Sequence, residues 1–199
     1  MPDTGAPWNI PYVENADLVR DWPADSLLVA NAVAAGLTAA GGLVEVKSAI
    51  FTGTQTNSTA ASANFAVTDL SITHEVADAS NKLVILAMLG VVGNSAGRGQ
   101  TGLAVHDGTS LIAVGAVASN RTSLTAGGTP SDGIATYIGA SRSATFVHTP
   151  GAGSKTYTVR AVNFSQFTNT VYVNRNEVDT DNGDSPRGAS SLVIMEVKV

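Results

Sequence analysis

From residue 43 onward the chain alternates apolar and polar positions with a period of two, the signature of strands with one face buried. Strand-like runs occur at 44–54, 65–76, 82–92, 102–106, 111–117, 135–138, 144–148, 156–164, 170–175 and 192–199. The alternation is clean in Leu70-x-Ile72-x-His74-x-Val76, in Tyr157-x-Val159-x-Ala161 and in Val171-x-Val173. Phe65-x-Val67 lies out of phase with the run that starts at Leu70, which predicts a bulge between them. Turn chemistry separates the runs. Examples are Asp78-Ala79-Ser80-Asn81, Gly127-Gly128-Thr129-Pro130 and Pro150-Gly151-Ala152-Gly153, and Asp107-Gly108 between two apolar runs predicts a hairpin. The last run, 192–199, is too apolar to hang free and should pair into a sheet. This pattern predicts a mainly β fold, a jelly-roll-like β-sandwich.

The first 42 residues follow another rule. Pro2, Pro7 and Pro11 favour an extended arm, on which Trp8, Ile10 and Tyr12 alternate onto one face. Residues 24–38 are the one stretch with helical spacing, led in by Pro23 and Asp25. Leu27, Ala30, Val33, Ala34 and Leu37 form a narrow apolar seam. A helix this short is marginal alone, so either the β-domain or sister helices in an oligomer must cover it. Gly41-Gly42 marks the boundary: residues 1–42 read as an attachment arm and helix, and 43–199 as a β-sandwich head.

Composition sharpens this picture. Charged residues are only 14% of the chain and the net charge is −5, without a basic run, which speaks against a general nucleic-acid binder. With no cysteine there is no disulfide framework, so oligomerisation is the expected substitute. The opening Met1-Pro2-Asp3-Thr4 does not read as a secretory signal, and the apolar stretch 83–92 is too short to cross a membrane. The expected product is made in a cytoplasm, takes up no cofactor and inserts in no membrane.

Several motifs invite chemistry. Gly93-Asn94-Ser95-Ala96-Gly97 matches the nucleophile elbow, but that motif needs a helix after the serine and here a strand pattern follows. Gly97-Arg98-Gly99-Gln100-Thr101-Gly102 matches a dinucleotide loop and fails for the same reason. Asp179, Asp181 and Asp184 do not fall in EF-hand register, though another calcium geometry stays open beside a plain solvated loop. His74, His106 and His148 each fall late in a strand. Surface or rim positions are the default, and a shared metal is the alternative. Sequons begin at Asn57, Asn120 and Asn163. No catalytic residue and no metal ligand is assigned.

The chain resembles virion proteins of tailed bacteriophages. Trp8-Asn9-Ile10-Pro11-Tyr12, then Asp17-Leu18-Val19-Arg20-Asp21 and an Ala-rich helix, look like the start of tail-fibre and minor tail proteins. Phe51-Thr52-Gly53-Thr54, Val67-Thr68-Asp69-Leu70-Ser71-Ile72-Thr73, Ala118-Ser119-Asn120-Arg121-Thr122, Tyr172-Val173-Asn174-Arg175 with Asp179-Thr180-Asp181-Asn182, and Val193-Ile194-Met195-Glu196-Val197 are similar to a β-module of such particles. The resemblance implies a non-enzymatic virion structural protein, a homotrimer whose partners are other virion proteins and host surface glycans or proteins. The short link at Gly41-Gly42 leaves no room for a long shaft, which favours a spike or knob, with capsid decoration as the alternative. Loops 93–101, 126–133 and 178–188 would face the host. Trp8, Ile10 and Tyr12 would attach the arm to the virion, with the Leu27–Leu37 seam closing the oligomer.

Overall fold

The computed structural model describes residues 42–95, 100–116, 119–128, 139–181 and 185–199. The arm residues Trp8, Ile10 and Tyr12, the seam residues Leu27, Ala30, Val33, Ala34 and Leu37, and the strand expected at 135–138 lie outside them. The described chain forms two antiparallel sheets from eleven strands: β1 (Leu43–Phe51), β2 (Gln55–Thr59), β3 (Asn64–Val76), β4 (Lys82–Asn94), β5 (Thr101–His106), β6 (Leu111–Ile112), β7 (Ala126–Gly128), β8 (Ala140–His148), β9 (Gly153–Asn163), β10 (Asn169–Val173) and β11 (Ser190–Val197). Sheet A runs β1-β11-β4-β10-β2, with β8 also on β4; sheet B runs β3-β9-β5-β6, with β7 also on β5. The chain changes sheet from β3 to β4 to β5 and again from β8 to β9 to β10. The expected sandwich is thus present.

Alternation decides which side chains meet between the sheets. From sheet A come Leu83, Ile85, Leu89, Leu192 and Ile194, and from sheet B come Leu70, Leu103, Val105 and Tyr157, all fully buried. Each such aliphatic side chain contributes roughly 1.5–3 kcal/mol by leaving water.

The phase shift at 67–70 is a real bulge. Ala66 pairs with Arg160 and Ser71 with Thr158, so four residues of β3 stand opposite Val159 alone, and Asp69 turns through φ 58°. Val67 and Leu70 both reach the core because of it. The backbone groups freed there go to Gln55: its Nε2 donates to Ala66 O at 3.1 Å, and its Oε1 accepts from the Thr68 N–H at 2.8 Å. That strand, Gln55-Thr56-Asn57-Ser58-Thr59, was not expected, since it has no apolar residue. The Gly127-Gly128 pair, with the composition of a turn, is instead paired to Gly102 and Thr101 in β7. The Asp107-Gly108 hairpin forms as expected. His106 pairs with Leu111, Asp107 Oδ1 accepts from the Thr109 and Ser110 N–H groups, and Gly108 supplies φ 93°.

Two buried asparagines tie the loops to the sheets. Asn174 Nδ2 donates to Phe51 O at 2.8 Å and Gly53 O at 2.9 Å, while its Oδ1 accepts from Ser190 Oγ. Asn163 Nδ2 points at the carbonyls of Thr59, Ala60 and Phe167. Asn163 is wholly buried, so its sequon cannot carry a glycan in the folded chain.

Candidate functional site

The nucleophile-like serine is part of the ladder. Its N–H donates to Thr170 O at 2.9 Å, and its Oγ accepts from the Thr170 N–H at 3.0 Å. Ser95 therefore extends the β4–β10 pairing by one step. Strand β5 resumes at Thr101, which leaves too few residues for the helix of an elbow. Ser95→Ala should lower stability by no more than about 1 kcal/mol, because water replaces the lost acceptor at this exposed site. It should leave the protein's background hydrolysis of p-nitrophenyl acetate unchanged. Urea unfolding and an ester assay on both proteins measure this, and loss of an esterase activity with the serine would refute it.

In the acidic loop the Asp179 carboxylate is already matched by cations. Arg175 lies 3.2 Å away and Arg187 2.8 Å away, and Arg175 also stacks on the Tyr172 ring. Ser185 Oγ bridges the loop by donating to Val178 O. Two guanidiniums on one carboxylate oppose a calcium ion there; residues 182–184 lie outside the described chain.

The histidines do not share a site, and His74 corrects the surface expectation. It is fully buried on the inner face of sheet B. Its Nε2 is 2.8 Å from Oε2 of Glu196, a β11 residue on the inner face of sheet A that is itself 1% exposed. The other Glu196 oxygen accepts from Asn81 Nδ2 at 2.6 Å and from the Ala77 N–H at 3.0 Å. Burial alone would raise the Glu196 pKa. The hydrogen bonds from Asn81, His74 and Ala77 outweigh it and hold the carboxyl below its ordinary value. Glu45 sits beside Glu196 in the β1–β11 ladder, and its Oε2 lies 3.5 Å from His74 Nδ1.

His148 stands in the same ladder row as Glu196, with Leu83 between them, and makes an edge contact with Tyr157. Burial, aided by Lys155, pushes its pKa down against the pull of Asp107. Burial likewise pushes the Tyr157 hydroxyl up. His106 is turned to its own hairpin, where Nδ1 accepts from the Gly108 N–H. Alternation in Leu70-x-Ile72-x-His74-x-Val76 is the sequence signal for an inward His74, whereas Glu196 lies in a run apolar at both parities and carries no such signal.

A second feature is a surface. The outward positions of sheet A read, row by row, Val46–Met195–Val84–Val147, Ser48–Val193–Leu86–Thr145 and Ile50–Ser191–Met88–Ser143. Ile50 is 64% and Val147 61% exposed, and no described element lies over this face. Strands β4 and β11 are thus apolar on both sides, the pattern of strands covered twice.

No family model matches this chain. No match among curated proteins was found either.

Proposed function

We propose that the chain is a non-enzymatic structural protein of a tailed-phage virion, a short spike or knob that assembles as a homotrimer. The observation that carries this reading is the outward apolar face of sheet A. The largest apolar patch on a soluble domain often marks an interaction site, and this face supports a subunit made to be covered. The occupant is further copies of the chain. Four strands at about 4.8 Å and seven residues at about 3.3 Å give a face of about 440 Å². Three such faces meeting around one axis bury about 1,300 Å² in all, about 440 Å² per subunit, so each pairwise contact falls below the ~1,000 Å² expected of a biological interface. Contributions from Leu27, Ala30, Val33, Ala34 and Leu37 would complete it. Trp8, Ile10 and Tyr12 remain the proposed attachment to the particle, and loops 93–101, 126–133 and 178–188 the host-facing tip.

Light scattering of the full-length chain at micromolar concentration tests the assembly. A trimer is expected. The double variant Val46→Lys/Val147→Lys should be folded by circular dichroism and monomeric, since both side chains are half or more exposed within the subunit. A stable wild-type monomer, or a trimer untouched by the two lysines, would overturn the assembly through this face.

A further inference from the structure

His74 lies between two carboxylates, one at each ring nitrogen, and the two contacts differ in kind. The Nε2 contact to Glu196, at 2.8 Å, is a hydrogen bond. An ionised carboxylate can only accept, so Nε2 carries the proton. In the neutral ring that leaves a lone pair on Nδ1. This nitrogen is buried, makes no hydrogen bond, and faces Glu45 Oε2 at 3.5 Å. A charge-assisted hydrogen bond would draw the two atoms to about 2.7–2.9 Å. Two ligand atoms each about 2.0–2.1 Å from one tetrahedral metal stand about 3.4 Å apart. The spacing is therefore that of a metal chelate rather than of a hydrogen bond.

We propose that His74 Nδ1 and Glu45 Oε2 bind a divalent transition-metal ion of the zinc class, with Glu196 holding the ring in place from behind. The donor atoms of all three residues lie within 4.8 Å of one another. A carboxylate on the far nitrogen of a ligating histidine fixes its tautomer and raises its basicity, as Glu196 does here. Lys47, the nearest cation, sits 3.5 Å from Glu45 Oε1 and leaves Oε2 to face His74. The Glu45 side chain is 43% exposed, so the ion would enter from the Glu45 side. Bound there, the metal clips the edge strand β1 to β3 in the opposite sheet, a cross-link that a chain without cysteine cannot otherwise make.

The test uses the full-length, untagged protein. Calorimetric titration with ZnCl2 should show one ion per chain, and Tm should rise by a few degrees over the protein in EDTA. Glu45→Gln, at a half-exposed position, should keep the EDTA Tm and weaken uptake at least about tenfold. Long-range ¹⁵N spectra should show the His74 Nε2–H tautomer in EDTA and a shift of Nδ1 on adding zinc. Absence of saturable uptake at millimolar zinc would overturn the proposal. So would uptake unchanged in Glu45→Gln, or a doubly protonated His74 ring that zinc does not alter.

Discussion

Replacing Glu196 with alanine should destabilise the protein by about 3–5 kcal/mol, the range for breaking a buried charge-paired network from one side. The substitution strips His74 Nε2, Asn81 Nδ2 and the Ala77 N–H of their acceptor at once, and two of those groups are buried. Against a total stability of roughly 5–15 kcal/mol, such a loss brings the domain close to unfolding at ambient temperature. Glu196→Gln keeps the shape and one acceptor oxygen and should cost less. The carboxyl also makes stability depend on pH. Its folded pKa is depressed, so its contribution is complete above the unfolded value near 4.5 and fades as pH falls through the lower folded value. Urea midpoints at pH 7, 4 and 3 measure both effects. The acid decline should be shallower in Glu196→Gln, and an alanine variant as stable as wild type would contradict the account.

Asn174→Asp should cost about 3 kcal/mol although it changes one atom. The amide donates to Phe51 O and Gly53 O inside the sandwich, and a carboxylate offers those carbonyls no proton. Each lost buried hydrogen bond is worth about 1 kcal/mol, and the two stranded acceptors and the buried charge add to that. Asn174 also adopts φ 61°, a left-handed conformation that asparagine tolerates better than most residues. Asn174→Gly separates the two causes, since glycine keeps the backbone and removes the side-chain bonds. Thermal unfolding should find the glycine variant destabilised by about 2 kcal/mol. If glycine were neutral, the residue would be there for its backbone alone.

Much of the sheet pattern was legible because burial on one face writes itself as alternation. Even the bulge at 67–70 could be read, since Val67 and Leu70 demand the same side from positions of opposite parity. Strand β2 could not. Gln55-Thr56-Asn57-Ser58-Thr59 belongs to the sheet through backbone pairing with β10 and through the Gln55 amide, neither of which leaves a hydrophobic trace. The Gly127-Gly128 strand was hidden by glycine, which serves turns and close strand approach alike. The buried pair was half legible. Alternation in β3 announced that His74 faces inward, but β11 is apolar on both faces and left Glu196 unplaced; the two lie 122 residues apart, and only the packing of the two sheets brings them into contact. The apolar outer face was present as unbroken runs in 83–92 and 192–195, yet its extent emerges only once four strands stand in register.

The position of β11 in sheet A bears on how the protein is made. It lies between β1 and β4 and pairs with both, yet it leaves the ribosome after every other described strand. At about 5–20 residues per second, β1 waits roughly 7–30 s for its partner after emerging. During that interval Val44, Val46 and Ile50 have no neighbour strand to flank them, and β4 offers an apolar edge. Sheet A can therefore be completed only after synthesis has passed Val197. Nascent chains on crowded polysomes would be open to edge-to-edge pairing until then, which makes translation speed and chaperone supply determinants of the yield of soluble protein.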